Sequence, residues 1–160
     1  MPVDRLSAER FSFVERPIPV PGDLRLSWRI PIVLLMLHHS RQNKASLVKL
    51  HVLNDAVRTP TGAERLRQIV RDQLPPVFWQ PRIEPAFARA IDFANGDGFV
   101  TWVSTTNGSG LSLTDKSGPV LSKLIEMTDV LADEKQVILE LAGKVTEGFA
   151  KSLLASSRVA

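Results

Sequence analysis

The apolar residues of this chain recur at helical spacing in several separate stretches, with proline, glycine or polar residues between them. In residues 27–40 the apolar positions surround nearly the whole helix, with Val33 on one side and Leu35 on the other, which is typical of a helix at the centre of a core. Residues 46–58 resume this spacing behind Ser46, a residue type that often caps a helix N-terminus. The pattern predicts two consecutive core helices.

Three later stretches also have helical spacing. The first begins after Pro60 and is predicted as an inserted helix. The second covers residues 84–95 and ends at Gly96 or Gly98, because glycine readily terminates a helix. The third covers residues 133–156 and is predicted to form one long amphipathic helix.

The stretch GFVTWVSTTNGSGLSLTDKSG (residues 98–118) changes to the alternating pattern of a β-hairpin. Its NGSG segment provides turn residues that tolerate positive φ. The inward-facing positions would be Val100 and Trp102 on the first strand, with Leu111 and Leu113 on the second. A two-stranded hairpin is marginal on its own, so we expect these four side chains to pack against the helices.

The predicted order is helix, helix, inserted helix, helix, hairpin and helix, so that three core helices are closed by a hairpin. This is the winged helix-turn-helix arrangement, and we expect a mainly α fold with one two-stranded β-hairpin wing, an inserted helix and a long C-terminal helix. The chain divides into an extended proline-rich arm (residues 1–25), a winged-helix domain (residues 26–130) and a C-terminal interaction helix (residues 131–160).

Composition narrows the functional classes only slightly. The chain has 160 residues, a formal net charge of +3 and no cysteine, which excludes disulfides and zinc–thiolate sites. A mild positive charge permits contact with nucleic acid without requiring it. The longest apolar run, residues 30–37, is far shorter than the roughly 20 residues that span a bilayer, so no membrane partner is expected. The absence of cysteine fits a reducing cytosol, and we expect a cytoplasmic protein.

The sequence contains no recognised catalytic motif: GxSxG, P-loop and HExxH patterns and paired acids at catalytic spacing are missing. His38 and His39 are adjacent, so a helix would point their side chains about 100° apart. His51 has no converging set of ligands. We therefore assign no catalytic, cofactor-binding or metal-binding residue, and we expect a protein that is not an enzyme.

Six arginines are candidate contacts for nucleic acid or an acidic partner: Arg58, Arg65, Arg67, Arg71, Arg82 and Arg89. The first four gather around the inserted helix, where the alternative is an ordinary solvated face. The last two lie at the fourth helix, which holds the position of a recognition helix and also carries Glu84 and Asp92. The hairpin turn TTNGSG has no Lys or Arg to neutralise phosphate, so sequence-specific reading of DNA is not favoured.

Two groups of apolar residues are candidate protein interfaces: Phe78 and Trp79 in a proline-rich loop, and Ile138, Leu141, Val145 and Phe149 on the C-terminal helix. The loop aromatics either anchor a partner or fill the core beneath the wing. The C-terminal arc either grips another protein, including a second copy of the chain, or folds back over the first helix. On the outside of this helix, Glu140 is predicted to pair with Lys144, and Glu147 with Lys151, at i,i+4 spacing.

Three segments carry a resemblance to a known family: IPIVLLMLHHSRQNKASLVKLHVLNDAVR (residues 30–58), GLSLTDKSG (residues 110–118) and VLADEKQVILELAGKVTEGFAKSLL (residues 130–154). In their order and spacing they resemble the middle component of bacterial three-component antiphage defence systems built around an SMC-like ABC ATPase, related to the Lamassu type. The resemblance implies a small non-enzymatic winged-helix subunit that is bound to the ATPase, usually beside an effector. It supplies no catalytic residues.

Two functional hypotheses follow. The first is a non-catalytic adaptor subunit that links an SMC-like ATPase to an effector. The second is a homodimeric winged-helix transcriptional regulator that binds DNA. They differ in where positive charge should lie, because a regulator needs cationic side chains on its third core helix and wing, whereas an adaptor does not.

Overall fold

The computed structural model describes residues 25–82 and 84–158, so most of the predicted proline-rich arm lies outside the described residues. This part of the chain contains seven α-helices, two 3₁₀ turns (Arg41–Asn43 and Pro76–Phe78) and three strands. In chain order the elements are α1 (Leu26–His38), β1 (Lys44–Ser46), α2 (Leu47–Arg58), α3 (Pro60–Val70), α4 (Pro85–Gly96), β2 (Val100–Thr105), β3 (Gly108–Leu113), α5 (Ser117–Glu126), α6 (Ala132–Leu141) and α7 (Glu147–Ser157).

Helix α1 lies at the centre of the core, as its nearly continuous apolar sequence predicts. Residues 32–37 are all buried, so the helix is covered on every side over more than one turn. The surrounding elements are α2, α4, α5, α6 and the sheet. The described fold is therefore mainly helical and is organised around one enclosed helix.

Side-chain caps set where α2 and α3 begin. Ser46 Oγ accepts a hydrogen bond from the Lys49 backbone N–H at 3.1 Å, which confirms the predicted cap of α2. Thr59 Oγ1 accepts from the Gly62 N–H at 2.9 Å, and Pro60 occupies the first turn of α3, where its missing N–H costs least. The inserted helix thus begins at Pro60, one residue before the predicted start.

The predicted hairpin is present but belongs to a three-stranded antiparallel sheet in the order β1-β3-β2. Strand β1 pairs with the other edge of β3, placing Ala45 opposite Leu111. The prediction that Trp102 faces inward is wrong, because its side chain is 46% exposed, whereas Leu111 is fully buried. Leu111 lies on the middle strand, while Trp102 lies on edge strand β2, which has a neighbouring strand on one side only.

The long C-terminal helix predicted for residues 133–156 is two helices, α6 and α7. The break follows from a new N-cap: Thr146 Oγ1 accepts a hydrogen bond from the Phe149 N–H at 3.1 Å, which starts α7 afresh. Buried residues of both helices, such as Ile138 and Leu153, belong to the same hydrophobic core as α1 and α2. The core thus continues across the predicted boundary at residue 131.

The two aromatics of the proline-rich loop have different environments. Trp79 is only 2% exposed and belongs to the core, whereas Phe78 is 55% exposed. The 3₁₀ turn Pro76–Phe78 packs against α7, which fixes this loop on the helical body. Of the two candidate anchors, only Phe78 therefore remains at the surface.

Trp79 carries a buried polar atom, because its indole Nε1 has no hydrogen-bond acceptor among the described residues. A buried donor left without a partner costs about 1–3 kcal/mol. We expect Trp79→Phe to lower the free energy of unfolding much less than Trp79→Ala, whose cost should be about 3–5 kcal/mol. Urea denaturation of the two variants measures the difference. A loss for Trp79→Phe as large as that for Trp79→Ala would contradict this expectation.

Candidate functional site

Two of the arginines predicted to bind phosphate or an acidic partner are paired with a carboxylate of the chain itself. Arg67 Nε donates to Glu140 Oε2 at 2.9 Å, and an Arg71 terminal nitrogen lies 3.8 Å from Glu140 Oε1. Glu140 lies on α6, so these contacts join α3 to α6. They take the place of the predicted pairing between Glu140 and Lys144 along one helix.

A buried charge network surrounds Glu84, the residue that immediately precedes α4. Arg29, only 1% exposed, donates from Nη1 to Glu84 Oε2 at 3.0 Å and from Nη2 to Oε1. Asn54 Nδ2 also donates to Oε2 at 2.7 Å, and Arg58 Nε lies 3.1 Å from Oε1. The network joins α1 and α2 to the start of α4, so it fixes where that helix begins.

Arg65 and Arg82, together with Arg58, act electrostatically on a half-buried carboxyl group, that of Asp55. Burial raises the pKa of this carboxyl, and the charges of Arg82, Arg65 and Arg58 act in the opposite direction. Burial likewise lowers the pKa of nearby His51, an effect opposed by Glu84. Arg58, Arg65 and Arg82 therefore help to compensate internal acidic groups.

The sixth arginine, Arg89, has a different position. It is exposed on α4 and has no ion pair with any residue of the described ranges. The outward side of the same helix also bears Asp92, and Phe93 is 53% exposed. The structure therefore does not bring the six predicted arginines together into one basic surface.

The predicted interface on the C-terminal segment is corrected by burial. Ile138, Leu141 and Val145 are each at most 1% exposed and belong to the core of the chain. Phe149 is partly buried and packs against the same core. Because α6 contacts α1 and α2, and α7 contacts α2, the apolar arc folds back over the chain's own helices, the second of the two predicted alternatives.

Large apolar side chains are exposed elsewhere. The most exposed are Phe78, Phe93, Trp102, Ile125, Met127 and Leu139, at 46–62%. Phe93 and Trp102 lie on α4 and β2, two elements that pack against each other. Exposed aromatics are characteristic of the anchors that bind partner proteins.

A groove of about 870 Å³ lies between the hairpin, the segment that contains β1, and the turn that joins α6 to α7. Its cationic side chains are those of Arg41, Lys44 and Lys49. Arg41 and Lys44 are exposed, and the chain between them turns through residues 42 and 43, which have φ values of 58° and 55°. The groove is therefore formed by three segments that are far apart in the sequence.

Lys49 is the most buried cation of this groove, with an exposed fraction of only 5%. Burial lowers the pKa of its ammonium group, and the charge of Glu147 opposes that shift. The helical spacing of the sequence already indicates that Lys49 faces the core. Lys49 precedes the buried residues Val52 and Leu53 by three and four positions, so it shares the core-facing side of α2.

Glu147, the first residue of α7, fastens the hairpin turn to α2. Its carboxylate accepts hydrogen bonds from the Ser46 backbone N–H at 2.9 Å and from Ser46 Oγ at 2.5 Å. Asn107 Nδ2, in the turn, donates to Glu147 Oε2 at 2.8 Å and to its backbone oxygen at 2.7 Å. These contacts take the place of the predicted pair with Lys151 and hold one wall of the groove.

The described part of the chain contains no group of three or more His, Cys, Asp or Glu residues placed to hold a metal ion. Within residues 25–82 and 84–158, no helix is both long enough and apolar enough to cross a membrane. Comparison with protein-family models, curated proteins and solved structures finds no match to this chain.

Proposed function

We propose that this chain is a non-catalytic winged-helix adaptor subunit that binds a larger protein in the cytoplasm. From the resemblance of the sequence, we propose that this larger protein is an SMC-like ABC ATPase of an antiphage defence complex, with an effector as the second partner. The winged-helix assignment is supported by three helices, α1, α2 and α4, that are closed by the β2–β3 hairpin, with α3 as the insertion.

The observation that carries the adaptor proposal is the exposure of Phe93 and Trp102. In a DNA-binding winged helix, the helix at the position of α4 enters the major groove and presents hydrogen-bond donors and cations. Here α4 and the neighbouring strand β2 present half-exposed aromatic side chains instead. Burial of such side chains against a partner is favourable, and Trp and other aromatics are enriched in protein interfaces.

The DNA-binding regulator remains the alternative, with less support from the charges. Arg58, Arg67 and Arg71 have internal acidic partners, and Asn107 at the hairpin turn is engaged by Glu147. Only Arg89 projects from the middle of α4 as an exposed cation. A regulator with this surface would neutralise few phosphates and would bind DNA weakly and without sequence preference.

Co-purification with the products of neighbouring genes tests the adaptor proposal. We expect Phe93→Glu and Trp102→Glu to weaken complex formation by at least about tenfold, because each places a charge in a desolvated contact. Leu139→Glu is the matched control, since Leu139 is 62% exposed on α6 and should leave the complex intact. Thermal unfolding of each variant verifies that the fold is retained.

Two results would count against the adaptor. One is a complex that survives both aromatic substitutions in folded variants. The other is tight binding to duplex DNA that falls steeply with salt and is lost in Arg82→Gln and Arg89→Gln, which would favour the regulator.

A further inference from the structure

The groove between the hairpin and the α6–α7 turn has an excess of positive charge. Three cations, Arg41, Lys44 and Lys49, face a single carboxylate, that of Glu147. Both oxygens of that carboxylate already accept hydrogen bonds from Ser46 or Asn107. The cations therefore outnumber the acidic group, and the acidic group is held against the groove wall by its own donors.

The strongest indication of a ligand is the environment of Lys49. The residue is 95% removed from solvent, and its ammonium group has no hydrogen bond or ion pair within residues 25–82 and 84–158, although the charge of Glu147 acts on it. The ammonium nitrogen is not one of the fully buried polar atoms that lack a partner, so it is the part of this otherwise buried residue that reaches the groove. A ligand that entered the groove would supply an acceptor and a negative charge to a cation that is already largely removed from water.

The start of α7 adds a second source of positive potential. Thr146 and Gly148 border the groove, and α7 has 11 residues. Of its first backbone N–H groups, that of Phe149 is satisfied by Thr146 Oγ1. The remaining N–H groups and the helix dipole favour an anion at this end of the helix.

We propose that this groove binds the phosphate group of a small, nucleotide-sized molecule, with Lys49 contacting the phosphate at the floor and Arg41 and Lys44 at the rim. The volume of about 870 Å³ lies within the usual range of small-molecule sites, roughly 300–1,000 Å³. Because Lys49 is recessed, a small ligand that enters the groove can reach it, whereas a DNA duplex is too wide to enter. The position of Lys49 therefore favours a small ligand. The groove includes Ser104 and Thr105 at the end of β2, but neither Phe93 nor Trp102 of the adaptor surface lines it.

Titration calorimetry on the full chain, with inorganic pyrophosphate and ADP as probes, tests the site. We expect Lys49→Met to weaken binding by at least about tenfold, the ratio expected for one charge-assisted hydrogen bond. Methionine has a similar length and is apolar, so the variant should retain the fold. Arg89→Gln removes one exposed cation outside the groove and should leave the affinity unchanged.

Two more variants test whether the cations of the groove bind a ligand or only balance the charge of Glu147. Glu147→Gln removes the opposing charge but keeps one side-chain oxygen that can accept from Ser46, and thermal unfolding verifies that the variant keeps the fold. It should strengthen binding by about threefold or more; no gain in the folded variant would mean that Lys49 only balances Glu147 and would overturn the proposal. The pair Arg41→Gln with Lys44→Gln changes only exposed groups and should weaken binding by at least about threefold.

The proposal is overturned if neither probe binds the unmodified chain at millimolar concentration, or if Lys49→Met binds as tightly as the parent. It is also overturned if Arg89→Gln loses as much affinity as Lys49→Met, which would indicate general charge attraction. Tighter binding of a 20-base-pair duplex than of ADP, with the same dependence on Lys49, would assign the groove to nucleic acid and not to a small molecule.

Discussion

Ile138→Ala is expected to lower the free energy of unfolding by about 3 kcal/mol, while Leu139→Ala should change it by less than about 0.5 kcal/mol. The two residues are adjacent on α6 but have opposite environments, since Ile138 is fully buried and Leu139 is 62% exposed. Truncation at Ile138 removes buried methyl and methylene groups and leaves a cavity in the core that α6 shares with α1.

Urea denaturation at a fixed temperature, with intrinsic tryptophan fluorescence as the signal, measures both variants. Leu139→Ala is the matched control, because it makes a similar truncation in the same turn of the same helix. If Ile138→Ala kept full stability and instead released a partner protein, the segment would serve as an interface and its burial in the core would be incorrect.

Periodicity predicts the helices well because each depends on local spacing. The start of α2 directly after its cap Ser46 and the start of α3 at Pro60 follow from capping and proline chemistry within a few residues. The hairpin is equally local, since alternation and a turn lie within one short stretch. These elements therefore require no knowledge of the rest of the chain.

The structure differs from the sequence-based prediction where contacts between distant segments determine the local structure. Strand β1 has only three residues, too few for a period, and it exists because β3 offers an edge to pair with. The continuous apolar arc of residues 133–156 hides the break before α7, although Thr146 followed by Glu147 was a local sign of a helix start. Trp102 alternates correctly, but its place on the edge strand leaves it half exposed.

The candidate sites are the least predictable part, because each brings together segments that are distant in the sequence. The groove combines residues near positions 41–49, 104–106 and 142–148. Arg29 and Glu84 are 55 residues apart, and nothing in the local pattern of α1 identifies the partner of its single buried cation. Composition can show that charges exist, but only the fold shows which of them neutralise one another.

Breaking the buried ion pair at Glu84 is expected to have the largest effect of any single polar substitution proposed for the described residues. Glu84→Gln should lower the free energy of unfolding by about 3–5 kcal/mol, because it leaves the guanidinium of Arg29, only 1% exposed, without its carboxylate. Arg29→Met should cost less, since Glu84 would retain Asn54 and Arg58 as partners and is itself 12% exposed.

A double-mutant cycle separates the pair from its surroundings. The combined variant Arg29→Met with Glu84→Gln should lose less stability than the sum of the single changes, with a coupling energy of about 1–3 kcal/mol. Arg89→Met, an exposed arginine on the same helix that Glu84 precedes, is the control and should change stability by less than about 0.5 kcal/mol. Additive single changes would mean that Arg29 and Glu84 are not in contact in solution. In that case the start of α4, and with it the position of the Phe93 surface, would require another means of support.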